Sequence, residues 1–211
     1  MTKLIISCVI NFLVFLIMAV VFVSYRKDEE GKISAANIKR SLVFFTTLSN
    51  LFSALISLIV ALVEVSLILK GETLIPHGII LLKFVGTAAV SVTLLTVLVF
   101  LGPTQGYGNM FKRDGIYVHL IGPLMSIFSL CLLETSSRIS FSESLLGILP
   151  MLFYGIYYLR QVVLIGEEKG GWADFYGFNH NGKWKISFSA MVIGTFIICV
   201  LLYFFHNTFV S

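Results

Sequence analysis

Long apolar runs alternate with short polar segments along the whole chain. Six runs are long enough, or nearly so, for a helix to cross the hydrocarbon core of a bilayer, which takes about 20 apolar residues. They cover roughly residues 4–25, 41–69, 77–101, 116–133, 145–165 and 186–205. The pattern predicts an all-α, polytopic bundle of six transmembrane helices forming one domain over residues 1–211. The first run is too long for the core of a signal peptide, and no small-residue cleavage site precedes the charged stretch after it, so it is expected to stay in the mature protein. The polar stretch Arg26–Arg40 has room for a short surface helix over Ser34–Arg40.

The second run is not uniformly apolar. Thr46, Ser49, Asn50, Ser53, Ser57 and Glu64 recur at helical spacing, and Thr46 and Glu64 are eighteen residues apart, a whole number of turns. One face of this helix is therefore polar from end to end. Lipid cannot satisfy such groups, so the face must look into protein or a wet cavity. It reads either as hydrogen-bonding glue between helices or as the wall of a site. In the third run Gly86, Ala89, Thr93 and Thr96 form a stripe of small residues that lets another helix approach closely. Lys83 and Glu64 fall at similar depth on antiparallel neighbours, which permits an ion pair; the alternative is that Lys83 snorkels to the interface.

Composition agrees with the pattern: 57% of the 211 residues are hydrophobic, 12% are charged, and mean hydropathy is +0.95. So few charges exclude a soluble domain of this size. The net charge of +4 is spread over loops, with no basic block to recruit nucleic acid. Its distribution sets an orientation. The segments after the first, third and fifth runs hold ten Lys and Arg, against three on the other side (Lys3, Lys70, Arg138), leaving out Lys83 and Arg160 inside runs. The excess places those segments in the cytoplasm and both termini on the non-cytoplasmic side.

Cys8, Cys131 and Cys199 all lie in apolar runs without metal-ligand spacing, so neither a disulfide framework nor a metal is expected. His77 and His206 lie at the outer ends of runs and His180 in a loop, so they read as interfacial. His77 and His119 start from opposite sides, which argues against a bis-histidine haem, and no cofactor is expected. Thr46 and His119 each lie about five residues, roughly 7 Å, inside the cytoplasmic end of two parallel runs. A hydroxyl and an imidazole at equal depth permit nucleophilic catalysis, the histidine taking the threonine's proton. Pro123, one turn after His119, can bend the helix beside it. Asn50 could orient a group or donate to an oxyanion, and Tyr154 and Tyr158 reach inward from the fifth run as further supporting candidates. A small-solute transporter or a lipid-binding module without chemistry explains the same polar face.

Phe45-Thr46-Thr47-Leu48-Ser49-Asn50-Leu51, the stretch Gly86–Pro103, His119 with Pro123, Tyr157–Gln161 and Trp172–Phe178 follow one another in an order and spacing that resembles the androgen-induced-gene-1 and androgen-dependent TFPI-regulating protein family, closest to its bacterial branch. The resemblance spans nearly the whole chain through short, degenerate motifs. It implies a multi-pass membrane threonine hydrolase that cleaves fatty acid esters of hydroxy fatty acids, with the lipid substrate entering from the bilayer of a bacterial plasma membrane. It carries Thr46 over as nucleophile and His119 as base. The animal pattern would select Thr47 instead; Thr46 shares a face with Asn50, whereas Thr47 is rotated about 100° from it. The free carboxylate of such a substrate is expected at Arg160 or at the basic pair Lys112-Arg113.

Overall fold

The computed structural model describes residues 1–24 and 32–210. The predicted end of the first run at Tyr25, and the charges Arg26 and Lys27 used in the orientation argument, lie outside the described residues. The rest is all-helical. Among the described residues, five helices are long and apolar enough to cross a membrane: α1 (Thr2–Ser24), α3 (Phe45–Lys70), α4 (His77–Gln105), α6 (Phe141–Ile165) and α7 (Trp184–Thr208). The short α2 (Ala35–Ser41) precedes α3, and α5 (Tyr117–Leu133) is apolar but shorter.

The expected surface helix is α2, started by Ser34, whose side chain accepts from the Asn37 N–H. The expected second run is interrupted. Leu42–Phe44 break the helix, and α3 begins anew at Phe45 after an extended Phe44. Thr46 and Thr47 therefore sit in the first turn of a helix and not in mid-span, which matters for the site. At its other end α3 stops at Gly71, whose φ of 72° is a left-handed conformation that glycine adopts without strain.

The polar face of α3 points inward, and successive rungs meet different helices. Ser49 bonds Thr93 of α4 at 2.9 Å, Asn50 donates to the Val118 carbonyl of α5 at 3.2 Å, and Ser53 lies 3.4 Å from Ser126 of α5. Ser57 accepts from Lys83 of α4 at 3.1 Å, and Glu64 accepts from Asn11 of α1 at 3.3 Å. Most of the stripe is thus interhelical glue. The small-residue face of α4 lets α3 close in: a Cβ on Gly86 would lie 2.8 Å from Ile56 Cδ1.

Lys83 does not snorkel; it is 1% exposed. Nor does it pair directly with Glu64. Its ammonium donates to Asn11 Oδ1 and Ser57, and the carboxylate within ion-pair range is that of Glu134, at 4.0 Å. Asn11 stands between the charges and donates to both carboxylates. His206, expected at the interface, is fully buried, with its two ring nitrogens 2.9 and 3.0 Å from the carbonyls of Leu130 and Ser137.

Two Gly-Pro steps reshape the helices near the α3 N-terminus. Proline lacks an N–H and its ring pushes against the preceding turn, so the regular ladder cannot run through it. Ahead of Gly102-Pro103 and of Gly122-Pro123 the chain widens into π-helical turns, Val97–Leu101 and Tyr117–Ile121, and each glycine N–H bonds five residues back, to Val97 and Tyr117. A Cβ at Gly102 would lie 2.1 Å from the Tyr107 ring and 2.7 Å from the Val97 carbonyl, and one at Gly122 would lie 2.1 Å from Met18 Cε, which would have to swing aside. π-Turns of this kind are often found at functional sites, and His119 lies inside the second.

Gly147 marks where the start of α6 crosses α4 and α7: a Cβ there would lie 2.8 Å from Cys199 Sγ, 3.0 Å from Ala88 Cβ and 3.1 Å from a Phe84 ring atom. Gly147→Val is expected to destabilise the purified protein by roughly 1–3 kcal/mol through overpacking. Gly78→Ala, with nothing within 4 Å of the added atom, should leave thermal unfolding in detergent close to wild type.

Candidate functional site

The site grows from the start of α3. The first turn of a helix leaves backbone N–H groups without intrahelical partners, and no side chain of the N-cap residue Phe44 covers them. The Phe45 N–H is taken by the Tyr176 hydroxyl at 3.1 Å, and the Thr46 side chain lies beside that same hydroxyl. Tyr176 belongs to the loop between α6 and α7, so this loop acts as a cap delivered from far along the chain.

Asp174 folds the loop. Its carboxylate accepts from the Tyr158 hydroxyl at 2.9 Å and from the N–H groups of Phe178 and Asn179 at 2.8 and 2.7 Å. Tyr158 in turn accepts from the Tyr176 N–H at 3.1 Å and packs against the rings of Phe175, Tyr176 and Phe178. Tyr154 donates to the Val43 carbonyl at 2.8 Å and packs on Phe45. Both α6 tyrosines are thus occupied in holding the loop and the entry of α3, and neither borders His119.

Two cavities open around this arrangement, of about 480 and 580 Å³. The first lies among α3, α4, α6 and α7 and is largely apolar, bordered by Phe45, Val92, Met151, Met191 and Ile198. The second lies among α1, α2, α3 and α5; Thr46, Thr47, Asn50 and His119 all line it, with Asn37, Arg40 and Gln105 supplying further polar groups. Thr46 and Leu101 line both, so they form the shared wall. The loop covers both as well, with Phe175 over the second cavity and Tyr176 and Phe178 over the first.

Within the second cavity Asn50 joins the two helices that carry the threonine and the histidine. Its amide donates to the Thr46 carbonyl at 2.7 Å and to the Val118 carbonyl, adjacent in chain to His119, at 3.2 Å. Two polar atoms here are buried without a partner among the described residues: Asn50 Oδ1 and His119 Nδ1. Buried polar atoms are nearly always paired, so two orphans on one cavity wall ask for a ligand or water. Among the described residues no cluster of side chains is suited to a metal ion.

Arg160, expected to meet a substrate carboxylate, lines neither cavity and is exposed. The buried stripe of α6 runs through Met151, Tyr154, Tyr158 and Val162, and a residue two positions from Tyr158 is turned well away from that stripe. Lys112 and Arg113 also lie outside both linings. The cation that does border the second cavity is Arg40, at the end of α2, five residues before α3. Its signal in the sequence was its closeness to Thr46, obscured by the assumption of an unbroken run from residue 41. Tyr176 is the other residue not anticipated as a neighbour of Thr46.

Comparison with protein-family models, with curated proteins and with solved structures gives no match in any of the three.

Asp174→Ala removes a charged acceptor from three donors. Hydrogen bonds to charged groups contribute roughly 1.5–3 kcal/mol each, so the loop is expected to detach before the bundle unfolds. Trp172, packed on Tyr157 and Tyr158, reports the change: its fluorescence should shift to the red at temperatures where helical circular dichroism is unchanged, while Asp174→Glu shifts less.

Proposed function

We propose that this chain is an intramembrane hydrolase of lipid esters, acting on fatty acid esters of hydroxy fatty acids, with Thr46 as nucleophile and His119 as base. It would have six spans and both termini on the non-cytoplasmic side of a bacterial plasma membrane, with α5 as a short span. The observation that supports this most is the position of Thr46 in the wall shared by two cavities, one of which also holds His119. A two-armed ester fits such a wall: one hydrocarbon arm lies in each chamber, and the ester bond crosses at the threonine.

The steps follow from the residues present. Thr46 Oγ1 attacks the ester carbonyl as the imidazole accepts its proton. The developing oxyanion lies at the N-terminal turn of α3, where the helix dipole favours negative charge. Collapse of the intermediate breaks the bond to the hydroxy-acid oxygen, which takes the proton from the imidazolium and leaves as an alcohol. His119 then deprotonates a water, which cleaves acyl-threonine to release the fatty acid and restore the hydroxyl. Arg40 is the cation placed to meet the free carboxylate. Asn50 holds α3 and α5 in register, so it acts as a positioning residue.

One observation favours a second reading, a lipid-binding protein without hydrolysis: no hydrogen bond joins Thr46 to His119. Catalytic hydrogen bonds are often long in an empty site and tighten with substrate, so the two readings part on activity.

Hydrolysis of a long-chain ester of a hydroxy fatty acid by the purified protein decides between them. Removing a general base costs roughly 100- to 10,000-fold in rate, so His119→Ala should fall at least that far and Thr46→Ala should abolish labelling by a fluorophosphonate. Thr47→Ala should keep both activity and labelling. Well-folded wild type that neither hydrolyses nor labels would leave the lipid-binding reading standing, and loss in Thr47→Ala alone would move the nucleophile by one residue.

A further inference from the structure

Toward the opposite end of the bundle from Thr46, four helices bury a second polar centre. Ser7 and Asn11 come from α1, Ser57 and Glu64 from α3, Lys83 from α4, and Ser129 of α5 with Glu134 just beyond it. None of the seven side chains is more than 1% exposed. Glu134 is well supplied: it accepts from Asn11 at 2.7 Å, from Ser7 at 3.2 Å and from Ser129, and Lys83 is 4.0 Å away. Glu64 accepts one long bond from Asn11, 3.3 Å. One oxygen of each carboxyl, Glu64 Oε1 and Glu134 Oε2, is buried without any partner among the described residues.

Charge bookkeeping makes this arrangement incomplete. Two carboxylates and one ammonium leave one negative charge uncompensated in a dry interior, where a lone charge is strongly penalised. The other titratable groups that face the centre are the thiols of Cys8, which donates to the Ala61 carbonyl beside Glu64, and of Cys131, beside Glu134; neither brings positive charge. His206 packs against the same end of α5, but its ring is directed at the carbonyls of Leu130 and Ser137. One cavity ends close to the centre, lined by chain neighbours of Ser7 and Glu134 and not by the seven side chains themselves. Of about 430 Å³, it opens at the end of the bundle carrying the N-terminus, and its wall includes Lys3, Leu4, Leu133 and Thr135. Leu4 is one helical turn from Ser7, and Leu133 and Thr135 flank Glu134 in the chain.

We propose that Glu64, Glu134 and Lys83 form a binding site for one exchangeable proton, held on Glu64 and reached through the cavity at the N-terminal end of the bundle. Lys83 neutralises the better-solvated Glu134, and the proton neutralises Glu64, whose orphaned oxygen is the one that carries it. Uptake changes no covalent framework: a carboxylate gains a proton and the cluster becomes neutral. The site is separate from the threonine–histidine cavity, so it stands whether or not the chain hydrolyses esters.

Infrared spectroscopy of the full chain in lipid nanodiscs at pH 6 tests this. Exposed carboxyls are ionised there, so the wild type should show one protonated-carboxyl C=O band that shifts in D₂O. The band should vanish in Glu64→Gln and survive in Glu72→Gln, an exposed control. Lys83→Met should bring a second band of similar area, because Glu134 then needs a proton of its own. Wild type without such a band would overturn the proposal whatever the variants do, and would move the missing positive charge to His206. A band that persists in folded Glu64→Gln would overturn the assignment to that residue. A band lost when sodium chloride replaces choline chloride would make this a metal-cation site instead of a proton site.

Discussion

The side-chain amide of Asn11 donates to Glu64 and to Glu134 and accepts from Lys83, so α1, α3, α4 and the end of α5 meet at one group. In an aqueous protein each partner could fall back on water; among hydrocarbon there is none, and a shift of any helix by one residue would strand a charge. The amide therefore fixes the register of four helices at one end of the bundle. Rigid helices carry that register to the other end. Thr46 stands eighteen residues from Glu64 along α3, about 27 Å, and His119 fifteen residues before Glu134. The depth at which threonine and histidine share a cavity is set by contacts made far from it.

How much of this could be read from the sequence depends on which residues announced themselves by period. The polar face of α3 did, because six side chains recurred at helical spacing, and with it came the shared depth of Thr46 and His119 and the buried, inward-facing Glu64. Asn11 did not, since one amide among apolar residues has no period; without it Glu64 and Lys83 look like direct partners. His206 read as an interfacial histidine because its position is terminal in sequence, while its burial comes from the turn after α5 folding over it.

The cavities were not legible for a different reason. They exist because α3 restarts at Phe45, because two Gly-Pro steps open π-helical turns, and because the loop 166–183 returns to cover the gap. Periodicity describes regular helices and says nothing of how far a turn is widened or where a loop comes back. The aromatics of Trp172–Phe178 suit the headgroup layer, and nothing in their pattern marks a cap for α3. The role of this stretch turns on Asp174, which gathers two donors within five residues of itself and one from α6, and on Tyr176, which reaches the first turn of α3. Arg160 illustrates the converse: a charge near the right depth, carried on the wrong face.

In the proposed hydrolysis the wall between the two chambers would also govern order in time. A ligand straddling Thr46 and Leu101, which line both chambers, would be divided there, so after cleavage its halves would lie in separate compartments. The half in the chamber with Asn37, Arg40 and Gln105 would have a polar doorway to leave by, while the half among Val92, Met151 and Ile198 would be retained by hydrocarbon contacts. Departure of the first empties the chamber in which His119 stands and lets water in beside the imidazole. A partition made of two side chains would thereby make the release of one product the condition for the arrival of the next reactant.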